Sequence, residues 1–287
     1  MSEASQVSAA RLEGTWARHA VAHAEALRSL DPSWGTTWFA LADGWVVLQG
    51  PGLYVNRALA MGLVAEVTPT DLDVFEAAAA RAGVPPTIDV VPATHSTLID
   101  LLLSRSYEPT GSYGVMTMSL TAGEPSADEA ITDEPSADEP SADEAIEVRP
   151  ITPDELGWWQ QSCADGWGHD TPERRCASDS YAAAAAATAG ETLLIAFDAF
   201  DGRPLGVASL AERDGVATLG GMSTLPAERG RGVQRALVAE RLRLALTDGC
   251  DLAVCSAVSG GASERNVLRL GFVHRYVKST WTRSTGS

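Results

Sequence analysis

Leu225-Pro226-Ala227-Glu228-Arg229-Gly230-Arg231-Gly232-Val233-Gln234-Arg235 is the stretch on which the reading of this chain turns. A strand-like segment, Gly215 to Thr224, runs into it, and a helix-like segment ending near Asp248-Gly249 runs out of it. A strand, a turn rich in Gly and Arg, then a helix makes an anion site. The first backbone N–H groups of a helix have no partners inside it and carry partial positive charge. Gly230 and Gly232 lack a Cβ, so a phosphate can approach the backbone closely. Arg229, Arg231 and Arg235 add positive charge in a geometry suited to phosphate oxygens. A lone Gly-x-Gly would read as a surface turn. Here the flanking strand, the helix and the arginines favour an anion-binding loop.

The stretch also resembles the acyl-CoA pyrophosphate loop of the GNAT N-acyltransferases. That loop reads Gln or Arg, two residues, Gly, one residue, then Gly or Ala. Arg229-x-x-Gly232-x-Gln234 follows it, with Gln234 where a small residue is usual. The Pro226 lead-in and the downstream Gly271-Phe272 fit the same family, and the resemblance covers about the last half of the chain. It implies acetyl-CoA or a similar acyl-CoA as co-substrate, with no metal. It implies a cofactor loop of Arg229, Gly230, Arg231, Gly232, Val233, Gln234 and Arg235. Backbone groups of Met222, Ser223, Thr224 and Leu225 would pair with the acyl-pantetheine arm, where the strand before the loop parts from its neighbour. Gly220-Gly221 would let that strand bend, the alternative being a bulge with no ligand.

Composition bounds the rest. The 287 residues suffice for two domains, and a net charge of −17 argues against a nucleic-acid partner. Cys163, Cys176, Cys250 and Cys255 show no Cys-x-x-Cys spacing and read as reduced thiols. Met1-Ser2-Glu3-Ala4 begins no signal peptide, and no run of about 18 apolar residues exists. The expectation is a cytoplasmic protein with no membrane partner.

Taken in order, helices are expected over 8–30, 70–82 and 96–103. Strands are expected over 36–41, 45–49, 53–55, 87–91 and 112–120. Thr70 reads as the cap of the second helix and Gly83 as its stop. The second half repeats the layout: strand 148–150, helices 153–163 and 171–189, strands 193–197, 205–211 and 215–224, then the loop and its helix. Strand 251–256, helix 262–270 and strand region 272–281 close it. The expected fold is α/β with a mixed sheet in two GNAT-like domains, a tandem-GNAT layout. Residues 1–120 form a degenerate copy, 121–146 a linker and 147–283 the catalytic domain. In the first copy the loop position holds Met61-Gly62-Leu63-Val64-Ala65-Glu66, with no Arg, one Gly and a repelling carboxylate. Its expected role is structural: packing, dimer formation or walling a cleft. A homodimer therefore stays open. Glu124-Pro125-Ser126-Ala127-Asp128-Glu129 recurs at Glu134 to Glu139, and such a segment cannot bury a core.

N-acyl transfer from a thioester needs proximity and a backbone oxyanion donor more than side chains. Many GNAT enzymes carry a carboxylate on the strand before the loop, but Ala217 to Leu225 has none. Many carry a Tyr four residues before Gly-Phe, where this chain has Val267. Ser263, one turn earlier, and Tyr276, on the final strand with His274, are the catalytic candidates, and Asn266 is a candidate pantetheine contact. Trp158, Trp159, Asp165, Trp167, His169 and Asp170 would hold a cationic amine, or else anchor a helix pair. Cys255 reads as a buried thiol rather than a nucleophile. The expected activity is N-acetyl transfer to a primary amine of a small molecule. The rival is an acyl-CoA-binding regulatory protein without turnover.

Overall fold

A computed structural model describes residues 8–120 and 146–284. The repeat segment between them lies outside the described residues. The chain forms a mixed α/β fold in two compact units. Unit 1 gathers Met1–Met116, Ser256–Arg265 and His274–Ser287, and unit 2 gathers Thr117–Cys255 and Asn266–Val273. Compactness thus divides the chain differently from the sequential division at the linker.

Unit 1 begins with helix α1 (Ala9–Leu30), capped by the Ser8 hydroxyl on the Arg11 N–H. Strands β1 (Thr37–Leu41), β2 (Gly44–Leu48) and β3 (Asn56–Leu59) form an antiparallel meander. Helix α2 (Pro69–Arg81) then crosses to β4 (Thr87–Val90), which runs parallel to β3. Helix α3 (Ser96–Ser104) and strand β5 (Glu108–Ser119) follow. The C-terminal strand β11 (Val273–Thr282) inserts between β4 and β5, giving the order β1-β2-β3-β4-β11-β5. Side chains alternate across a strand. On β2, Val46 and Leu48 join Phe75, Ile88, Leu98 and Tyr107 on one face, while Val47 meets Ala17, Ala20 and Ala24 of α1 on the other. Both faces are therefore covered, and β2 reads as an apolar run.

Two local expectations shift. The cap of α2 is Thr68, not Thr70. Thr68 and Asp71 form a capping box around Pro69, whose missing N–H costs nothing at the first helical position. Residues 53–55 turn rather than extend. Asn56 bonds to Gly50 and to the Leu53 carbonyl, tying the turn, and β3 starts only at Asn56.

Unit 2 repeats the plan. Strand β6 (Ile146–Pro150) is followed by helices α4 (Leu156–Trp167) and α5 (Pro172–Ala187). Antiparallel strands β7 (Glu191–Asp198), β8 (Pro204–Arg213) and β9 (Val216–Thr224) come next. Helix α6 (Val233–Thr247) crosses to β10 (Leu252–Val258), parallel to β9, and helix α7 (Ala262–Arg269) precedes β11. The strand order is β10-β9-β8-β7-β6. Trp159, Cys163, Tyr181, Ala182 and Ala185 pack on Leu193, Ile195 and Val207, which fixes α4 and α5 on one face of this sheet. The alanine run of α5 is what lets it lie close.

Candidate functional site

The Arg229 loop starts as a single 3-10 turn, Pro226–Glu228, and ends where Gly232 enters α6. Gly230 and Gly232 take φ of 80° and 85°, the left-handed region that a Cβ penalises. No side chain caps α6, and its first internal bond runs from the Ala236 N–H to the Gly232 carbonyl. The Val233 and Gln234 N–H groups therefore have no partner within the helix. A Cβ on Gly230 would meet nothing within 4 Å, so the approach is open.

The arginines divide their work. Arg229 is exposed and donates to the Gly166 carbonyl at 3.0 Å. Arg231 departs from its expected role as a phosphate ligand. It pairs with Asp198 at 2.7 Å and with Glu228, and Arg203 pairs with the same two carboxylates. A guanidinium spent on two buried carboxylates holds the loop's shape rather than adding free positive charge. The Arg231 hydrogen bond is the main cause holding each carboxyl below its ordinary range. Gln234 is held by Asn266, whose Nδ2 donates to its Oε1 at 2.8 Å, while Gln234 Nε2 has no partner among the described residues.

Upstream, β9 bulges. Ser209 pairs with Gly220 and Val207 with Ser223, so Gly221 and Met222 face the single residue Ala208. Gly221 sits at φ 55°. On its other edge, β9 pairs in parallel with β10 from Val216 to Thr218, and that register ends at the Thr218–Val254 pair. Two side chains that the sequence reading missed converge on the bulge. A Cβ on Gly220 or Gly221 would lie 2.8 or 3.1 Å from the Tyr181 hydroxyl, which hydrogen-bonds Ser209 Oγ at 2.7 Å. From α6, buried Arg241 donates to the carbonyls of Ser209 and Gly220, both at 3.2 Å. The signals were present: Tyr181 is the one large residue leading an alanine run, and Arg241 is a charge among Leu237, Val238, Leu242 and Ala245.

The end of α4 closes over β9. A Cβ on Gly166 would lie 1.7 Å from Ser223 Oγ, and that hydroxyl donates to the Ser162 carbonyl at 2.8 Å. Trp167 Nε1 donates to the Met222 carbonyl at 3.0 Å, so that carbonyl already has a donor before any pantetheine arrives. Trp159 is fully buried with its indole on the Leu194 carbonyl, and Trp158 packs against the same core. Asp165 accepts from Gln161 and Arg175, which lower its pKa in that order; Asp170 pairs with Arg174 at 3.7 Å. Trp158, Trp159, Asp165 and Asp170 thus follow the helix-pair alternative. Trp167 and His169 meet edge to face at 5.4 Å.

The remaining candidates scatter. Ser263 is exposed in the first turn of α7 and groups with unit 1, while Asn266 and buried Val267 group with unit 2. Tyr276 belongs to unit 1, where its hydroxyl donates to Glu13 at 2.8 Å. Burial, then the Glu13 charge, push its pKa up. His274 Nε2 lies 3.7 Å from Glu264. Cys255 is buried and its thiol is pushed up to about 12 by that burial, as expected for an inert residue.

Unit 1 handles the counterpart loop differently. The Asp43 carboxylate, from the β1–β2 turn, accepts the N–H groups of Gly62 at 2.8 Å, Ala65 at 3.2 Å and Val64. The chain's own carboxylate fills the backbone nest that an anion would use. Glu66 is exposed and pairs with His95 at 3.5 Å, so its repulsion is the lesser obstacle.

With this geometry in place, residues 154–272 match the model of the acetyltransferase (GNAT) family. That segment is a GNAT acetyltransferase domain. The family transfers acyl groups from acyl-CoA, which agrees with an uncapped helix after a bulged strand. Solved structures extend the likeness to both units. A GCN5-related N-acetyltransferase from Kribbella flavida is similar at 16% identity over 94% of this chain and 96% of its own, with a TM-score of 0.64. A tandem GNAT protein from the clavulanic acid biosynthesis pathway is similar at 16% identity over 88% and 84%, at 0.58. A GCN5-related N-acetyltransferase from Sphaerobacter thermophilus gives 15% identity over 79% and 71%, at 0.52. At these identities the likeness concerns the fold alone, which is that of a tandem GNAT protein. No curated protein is similar in sequence to the chain. No described helix is long and apolar enough to cross a membrane.

Proposed function

We propose that the GNAT domain takes acetyl-CoA, or a similar acyl-CoA, and passes the acyl group to the primary amine of a small molecule. The observation that carries this is the uncapped N-terminus of α6 directly after the bulged strand β9, whose register with β10 ends at Thr218. Pyrophosphate oxygens would accept from the Val233 and Gln234 N–H groups, with Gln234 Nε2 available as a further donor. Arg229 and Arg235 would supply charge, and Arg231 would keep the loop in shape. Pantetheine would lie along Ser223, Thr224 and Leu225. The net charge of −17 favours a cationic acceptor over an anionic one.

In this reading the amine nitrogen attacks the thioester carbon, the C–N bond forms and the C–S bond breaks. The amine's proton leaves to water, and the CoA thiolate leaves as such or takes a proton from water. β9 offers no carboxylate as base, and the Tyr276 hydroxyl is committed to Glu13. Catalysis rests on proximity and on backbone polarisation of the carbonyl. Unit 1 would bind no CoA, because Asp43 fills its nest and the Thr68–Asp71 capping box satisfies the start of α2. Calorimetry with CoA and turnover of acetyl-CoA on an amine panel, read as free thiol and acylated product, test this. Tight CoA binding with no acylated amine would favour a regulatory acyl-CoA-binding protein. Absence of binding would remove both readings.

A further inference from the structure

Arg241 stands on the apolar face of α6, with Val233, Leu237, Val238, Leu242 and Ala245. It is 1% exposed. Its Nε donates to the Leu237 carbonyl at 2.9 Å, Nη1 to the Ser209 and Gly220 carbonyls, and Nη2 to Met222 Sδ at 3.2 Å. Among the described residues no carboxylate neutralises it. Burying a cation without a counter-ion is costly, and an apolar side chain of similar length would avoid that cost. Burial pushes its pKa down to about 10. Packing alone therefore does not explain an arginine at this position.

What the charge does is visible in the peptide it holds. Ser209 and Gly220 are the last regular pair before the bulge. The Gly220–Gly221 peptide is trans and planar, so its N–H points opposite to its carbonyl. The carbonyl faces Arg241, so the Gly221 N–H faces away from it. Gly221 has no register partner on β8, as befits the extra residue of a bulge. A hydrogen bond to a peptide carbonyl also strengthens that peptide as a donor. The β9–β10 register ends at Thr218, just before this peptide.

We propose that Arg241 is a positioning residue for acyl transfer. By holding the Gly220 carbonyl it aims and polarises the Gly221 N–H as the oxyanion donor to the thioester carbonyl. The inference rests on the acyl-CoA reading above. Tyr181, hydrogen-bonded to Ser209, lies close against the Gly220–Gly221 segment.

The test uses full-length protein and acetyl-CoA carrying ¹³C at the acyl carbonyl. Isotope-edited infrared difference spectra are recorded for wild type, Arg241→Met and Arg241→Lys, alongside turnover, CoA affinity and melting temperature. The wild-type bound carbonyl should absorb below its frequency in water. In Arg241→Met the band should return toward the solution value, and kcat should fall by about 10²–10³-fold with CoA affinity nearly unchanged, the cost of one oxyanion donor. Arg241→Lys keeps a cation but not the two-carbonyl fork, and should lie between. A wild-type band and wild-type kcat in the Met variant would overturn the proposal. Collapse of both variants in the melt would overturn it too, assigning Arg241 to stability. No bound band in the wild type would sink the acyl-CoA reading itself.

Discussion

Tyr276 on the final strand donates its hydroxyl hydrogen to Glu13 on the first helix at 2.8 Å, and both belong to the same compact unit. Glu13 is 1% exposed; its other oxygen accepts from Lys278 Nζ at 2.9 Å, and that ammonium lies 3.9 Å from the Trp16 ring centroid. Removing the hydroxyl leaves a buried carboxylate short of a donor. Tyr276→Phe should therefore cost about 1–3 kcal/mol in urea unfolding, with turnover close to wild type. Glu13→Ala should cost more, about 3–5 kcal/mol, because it strands the buried ammonium. A turnover loss beyond about 10²-fold in Tyr276→Phe, at unchanged CoA affinity, would restore the hydroxyl as the acid.

Asp43 answers three backbone N–H groups of the 62–65 loop. Asp43→Ala leaves them to water or unpaired, so a stability loss of about 1–3 kcal/mol is expected. The emptied nest should still not bind CoA, since the Thr68–Asp71 capping box satisfies the start of α2. Calorimetry on Asp43→Ala checks this. Binding of a second CoA equivalent would show that Asp43 alone separates the two copies.

Much of this was legible because the signals are local. The loop's Gly and Arg spacing, the Gly220-Gly221 bulge, and the helix over 9–30 follow from residue chemistry within a few positions. What was not legible depends on distant partners. Nothing near Arg231 in sequence announces Asp198, which pairs with it across 33 residues. The insertion of β11 between β4 and β5 joins elements far apart along the chain, so a division drawn at a linker could not anticipate it. Tyr276 alternates correctly on its strand, but the face it shares is settled by Glu13, which lies 263 residues away.

Arg231 makes the loop sensitive to acid. Asp198 and Glu228 have folded pKa values below their unfolded ones, chiefly through Arg231. Their contribution to stability is therefore fully present above the unfolded carboxylate range, near pH 4, and is lost as pH falls through the folded values. Arg231→Met should lower the melting temperature at pH 7. The gap to wild type should narrow as pH drops below about 4. CoA affinity should fall in the variant as the loop loses its frame. An unchanged gap from pH 7 down to pH 3 would mean that the pairs contribute nothing.

Acyl transfer without a side-chain base leaves a signature in pH dependence. β9 carries no carboxylate between Ala217 and Leu225, and Val267 stands where a tyrosine donor is expected. The acceptor must then arrive as the free amine. The value of kcat/KM should rise with pH by about tenfold per unit until it levels at the acceptor's own pKa, without a separate inflection between pH 5 and 8. Changing to an acceptor of lower pKa should move the plateau down by the same amount. Ser263 is exposed, so water can replace its hydroxyl, and Ser263→Ala should cost less than about tenfold in kcat. A loss of 10²-fold or more there, with an inflection that stays put when the acceptor changes, would place a catalytic group of the protein in the step.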